Sequence, residues 1–230
     1  MIPIRDRNPS GVFPIITVCI IALNVLVFFF ELSLGHRLDD VLFQYGVVPL
    51  KIFHPADIPD TTVINAYFPF LTYMFFHGGF IHLVGNMWYL WIFGDNVEDA
   101  LGRIKFIVFY LICGIGSAAV HVYINKQSGV PCIGASGAIA GVLGAYMVTF
   151  PRARVLVIIP LFIVWQMVEL PAIVVLGFWF IIQFFIGTAS ISAAQSDGVA
   201  WWAHIGGFIL GIILIKIFPK LRYLHSHRQR

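Results

Sequence analysis

Four residues of three types in this chain stand where they could do chemistry, and their settings matter more than their number. Ser136 stands in Gly134-Ala135-Ser136-Gly137, at the head of an apolar run that continues to Phe150. His204 stands in Ala203-His204-Ile205-Gly206-Gly207, inside a second apolar run. A serine hydroxyl is a weak nucleophile until a base accepts its proton, and an imidazole is the usual base. His82 and Asn86 lie four residues apart in a third apolar run. That spacing puts both on one helical face.

The segments that must position these groups are those of a membrane protein. Sixty per cent of the 230 residues are hydrophobic, 11% are charged, and the mean hydropathy is +0.91. A soluble domain carries about 25% charged residues. The apolar runs predict six helical spans of roughly 13–30, 79–93, 106–124, 134–150, 170–187 and 201–218 in a single domain over 1–230. The first run is too long to read as a cleavable leader, so Met1 to Ser10 is expected to be a short tail. Glu31 to Ala66 reads as a long, partly embedded connection, since loops of that length are usually functional. Asp95 to Asp99 with Gly102-Arg103 reads as a polar link, with Asp99 and Arg103 at pairing distance on a helix. Val155 to Trp165 is apolar but short and is expected to lie along the membrane surface.

Orientation follows from the basic residues, which collect on the cytoplasmic side. Arg5, Arg7, Arg103, Lys105, Arg152, Arg154, Lys216, Lys220, Arg222, Arg228 and Arg230 fall on one side, against Arg37, Lys51 and Lys126 on the other. Both termini are therefore expected in the cytoplasm, with a prokaryotic cell membrane as the setting. The basic C-terminal tail reads as a topology anchor, not as a nucleic-acid site. In this topology Ser136, His204, His82 and Asn86 share one depth, near the extracytoplasmic end of three helices. Ionisable groups at membrane depth are costly and mark function by default. Gly137 and Gly141 on one helix, and Gly207 and Gly211 on the other, form small faces that let backbones approach closely.

Metal chemistry is not indicated. His77 and His82 are five apart without a carboxylate beside them, and Cys19, Cys113 and Cys132 lack ligand spacing. No cofactor is expected, and nothing in the pattern specifies an oligomeric state. His121 reads as an interfacial or packing histidine, and Cys132 as a packing residue.

Together, Gly134-Ala135-Ser136-Gly137, His82-Leu83-Val84-Gly85-Asn86, Ala203-His204-Ile205-Gly206-Gly207, Leu71-Thr72, Gly94-Asp95-Asn96-Val97-Glu98 and Gly102-Arg103 resemble the rhomboid intramembrane serine proteases. The likeness runs from about Thr72 to Gly211. It implies a six-helix bundle, an all-α membrane fold, and peptide-bond hydrolysis by a Ser136–His204 dyad. It also implies transition-state stabilisation by Asn86 and His82, with membrane lipids around the chain. Single-pass transmembrane substrates would enter beside the fifth span, under Thr188 to Ala200 as a mobile cover. Asp197 would be at best a distant influence on His204. Two positions depart from relatives of this kind: Tyr67-Phe68-Pro69-Phe70 replaces a Trp-Arg pair, and Ala140 replaces an aromatic that stacks on the histidine. Two rivals remain at this level, an inactive relative that binds clients without cutting them and a transporter. Retention of Ser136 and His204 argues against the first, and the absence of Asp, Glu, Lys or Arg in mid-span against the second.

Overall fold

A computed structural model describes residues 1–161, 164–192 and 200–218. Six long helices dominate: α1 (Ile15–Ser33), α2 (Phe80–Leu101), α3 (Arg103–Ile124), α4 (Ser136–Thr149), α5 (Ala172–Ser192) and α6 (Trp201–Ile217). Among the described residues three segments, Ile15–Ser33, Arg103–Ile124 and Ala172–Ala189, are long and apolar enough to cross a membrane, and α4 and α6 are shorter apolar helices. Their outer faces carry large exposed apolar side chains, among them Ile81 at 86% and Ile104 at 80% exposure. Water does not accept such a surface; acyl chains do. The chain is a helical membrane bundle.

The helix bounds differ from the expected spans where polar residues deceive. The second was expected to stop at Phe93, yet α2 continues to Leu101. Asp95 to Asp99 are its last turns, not a link, and Asn96, Glu98 and Asp99 are buried. Glu98 accepts hydrogen bonds from Ile16 N (3.0 Å), Thr17 N (2.8 Å) and Thr17 Oγ1 (2.8 Å). A carboxylate there satisfies the orphan N–H groups at the start of α1. Asp99 accepts from Gly11 N at 2.6 Å, so its hydrogen bond goes to the N-terminal segment in place of the expected Arg103. Gly102, with φ +78°, makes the sharp turn into α3.

A small sheet also departs from the all-helical expectation. β1 (Ile2–Asp6), β2 (Arg154–Leu161) and β3 (Val164–Pro171) form an antiparallel sheet in the order β1-β2-β3. Ile2 pairs with Ile158 and Asp6 with Val155; Arg154 pairs with Pro171. The apolar segment expected along the membrane surface is thus a hairpin, and the N-terminal tail is a strand. Val155 and Val157 are fully buried while Leu156 and Ile158 are partly exposed, the period of two that a strand imposes. Arg7 pairs with Glu169 across the sheet. The fifth helix consequently begins at Ala172 rather than Leu170 and runs to Ser192, through the start of the expected loop. The rest of that cover, Asp197 within it, and the basic tail beyond Phe218 lie outside the described residues.

The long first connection is folded into short helical turns, including Leu38–Tyr45, Pro49–Phe53 and Val63–Tyr67. It is tied to the segment before α4 by paired hydrogen bonds between Val47 and Cys132, 3.0 and 2.8 Å. Both residues are buried.

Candidate active site

The site sits where α2, α4, α5 and α6 converge, at the end of the bundle away from the sheet. Ser136 is the first residue of α4, so its backbone N–H has no acceptor within the helix. The turn that delivers it depends on Gly134. This residue has φ +123°, and a Cβ there would meet His82 Cε1 at 2.8 Å. Its N–H donates to Tyr73 O at 2.9 Å, fixing the approach to the helix.

α4 and α6 touch backbone to backbone. A Cβ on Gly207 would collide with Gly137 O, and one on Gly211 with Gly141 O. Gly137 itself packs against Ser117, whose hydroxyl shares a buried network with Tyr73 OH (2.8 Å) and Gly114 O (2.8 Å). At this separation the short serine side chain spans the gap: His204 Nε2 is 2.7 Å from Ser136 Oγ. That is hydrogen-bond reach for a nucleophile and its base.

His82 and Asn86 on α2 face the same cavity, which has a volume of about 540 Å3. Gly78 N–H donates to His82 Nδ1 at 3.3 Å. A neutral imidazole that accepts at Nδ1 carries its proton on Nε2, the atom beside Gly134. Asn86 is buried, and its Nδ2 has no hydrogen-bond partner among the described residues. A buried donor left unpaired costs about 1–3 kcal/mol. Such a group asks for an explanation.

The aromatic missing at Ala140 is replaced from other helices. Trp179 on α5 and Trp201 at the start of α6 flank the His204 ring at centroid distances of 6.1 and 6.0 Å. Gln183 on α5, also buried, places Oε1 2.6 Å from His204 Nδ1. Gln183 was absent from the sequence reading, although a lone amide in an apolar helix is a signal. Glu31, expected at the start of the long connection, belongs to α1. It lies in the last turn of α1 as a buried carboxyl group that accepts the His77 N–H at 3.1 Å. The His121 ring bonds to Asn125, the residue that follows its own helix. Cys132 lines the cavity but is buried, with its thiol pushed up to about 12 by desolvation, which leaves it a poor nucleophile. Among the described residues no group of three His, Cys, Asp or Glu is placed to hold a metal.

A serine and a histidine joined across two membrane helices, with glycine-lined contact beneath them, agree with the family model that matches residues 65–220, the rhomboid domain. The chain belongs to the rhomboid family. Among its relatives are the Rhomboid-like protein 11, chloroplastic, of Arabidopsis thaliana, 28% identical over 207 residues, covering 86% of this chain and 66% of the relative. The Presenilin-associated rhomboid-like protein A, mitochondrial, of Danio rerio is 31% identical over 181 residues, 70% of this chain and 42% of the relative. Rhomboid protein 1, mitochondrial, of Saccharomyces cerevisiae is 28% identical over 164 residues, 68% and 42% respectively. The chain thus spans between 42% and 66% of the length of these relatives. By name they are organellar, which lends no support to the expected prokaryotic cell membrane; the membrane character itself rests on the apolar helices.

Proposed function

We propose that this chain is a serine endopeptidase that cleaves single-pass membrane proteins within or beside their transmembrane segments. The observation that carries this reading is the 2.7 Å contact between Ser136 Oγ and His204 Nε2 inside a cavity that also holds an unpartnered Asn86 amide. Ser136 Oγ attacks the scissile carbonyl carbon as His204 Nε2 takes its proton. The oxyanion forms among Asn86 Nδ2, His82 Nε2–H and the Ser136 N–H at the positive end of α4. His204 then passes its proton to the leaving amine as the C–N bond breaks. Water attacks the acyl-enzyme, gives a proton to His204, and Ser136 leaves with that proton. No cofactor enters the cycle.

In this reading the six long helices all cross the bilayer, both termini are cytoplasmic, and residues 1–230 act as one domain. The cavity then opens near the extracytoplasmic face, and substrates reach it beside α5. The test is reconstitution in lipid with a generic single-pass substrate, comparing wild type with Ser136→Ala and His204→Ala. Cleavage by the wild type and none by either variant is expected. Equal cleavage by all three ends the proposal, and capture of the substrate without cleavage by any of them assigns the chain to client binding instead.

A further inference from the structure

The His204 ring has two nitrogens, and the proposed chemistry needs only one of them free of a proton. If Nε2 carries the hydrogen, it cannot accept from Ser136. Aromatic neighbours hold a ring in place but do not choose between its tautomers; a hydrogen-bond partner on the second nitrogen does. In serine–histidine–aspartate sites a carboxylate plays that part. Among the described residues no carboxylate bonds to His204, and an ionised one at this depth would be costly.

Gln183 occupies the position. Its Oε1 lies 2.6 Å from Nδ1 while Ser136 Oγ lies 2.7 Å from Nε2, so the imidazole is gripped at both ends. An amide oxygen only accepts. The Nδ1 nitrogen must then hold the proton, which leaves the Nε2 lone pair directed at the serine hydroxyl. We propose that Gln183 is a positioning residue that selects the Nδ1–H tautomer of His204 and aims Nε2 at Ser136, an uncharged substitute for a carboxylate. This inference rests on the protease reading. It also places α5 in the machinery: α5 lies beside the cavity, so displacement of α5 by an entering substrate would carry the acceptor with it.

The experiment uses the full chain in lipid, with Gln183→Leu, Gln183→Glu and Ser136→Ala beside wild type. A fluorophosphonate that labels the active serine reads nucleophile activation without a peptide substrate. For Gln183→Leu, labelling and kcat are expected to fall on the order of 10²-fold, the low end of what a positioned base supplies, with KM unchanged. Gln183→Glu keeps an acceptor at the same reach and is expected to recover most of that loss. Wild-type labelling in Gln183→Leu overturns the proposal, and so does an equal loss in both variants, which would mean that an acceptor at this position is not what His204 needs. Independently of any variant, nitrogen NMR of wild type with labelled histidine is expected to show His204 protonated on Nδ1; protonation on Nε2 overturns it. Activity surviving in Ser136→Ala would strike the protease reading itself, a separate result from any of these.

Discussion

At the end of α2 near the sheet, Asn96, Glu98 and Asp99 are buried; towards the other end, His82 and Asn86 face the cavity. The first group is saturated. Glu98 accepts three hydrogen bonds from α1, Asp99 one from Gly11, and Asn96 exchanges bonds with Asn8 and Asp6. The second group is not, because Asn86 Nδ2 has no partner among the described residues, and both it and His82 line the cavity. One helix thus carries the same class of residue in two conditions. Saturated polar groups lock elements together. Unsaturated ones leave hydrogen-bonding capacity open, which the proposed reaction would use for its carbonyl oxygen.

The comparison breaks first at Asn86. If its amide serves the oxyanion, Asn86→Ala lowers kcat by about 10²–10³-fold, as loss of one such donor does. Thermal stability should hold or rise, since an unpaired buried donor has been removed. Steady-state cleavage kinetics with a melting curve in the same detergent checks both halves. A variant that melts early would move Asn86 to the saturated group.

Glu98 should behave in the opposite way. Glu98→Ala strands Ile16 N, Thr17 N and the Thr17 hydroxyl, at a cost of about 2–4 kcal/mol, while activity per folded molecule stays near wild type. Glu98→Gln keeps one acceptor oxygen and should fall between. The melting temperatures of the three proteins decide it, and a loss of kcat without a loss of stability would contradict the division.

The same division explains how much could be read from the residues alone. Long apolar runs give helices because no other backbone state satisfies itself in lipid, so all six were legible. Ser136, His204, His82 and Asn86 were legible because polar groups stand out against such runs. Asp95 to Asp99 misled because charge near a helix end looks like solvent exposure. Their partners, Asn8, Gly11 and Thr17, lie more than 80 residues away in the chain. β2 and β3 were missed because short apolar runs suit strand and helix alike, and pairing with β1 decides between them. Gln183 escaped because it is neutral, and only the fold puts its oxygen against an imidazole of another helix.

A smaller effect tests whether saturation extends to the N-terminal strand. Asp6 in β1 accepts from Tyr146 OH at 2.5 Å and from Asn96 Nδ2 at 3.2 Å. Desolvation lifts its carboxyl from the usual 3.8 to about 6, helped by the nearby Asp95 and opposed by the Tyr146 hydrogen bond. The folded state therefore holds this proton at a pH where the unfolded chain has released it. Stability from this source is full below about pH 4 and is lost as pH rises through about 6. Melting temperatures of wild type should thus decline more steeply over that window than those of Asp6→Asn, which has no proton to lose. The difference is expected to be no more than a few degrees, because Asp6 is only partly buried. Parallel curves for the two proteins would mean that the strand is held by its backbone pairing with β2 and that Asp6 is incidental to it.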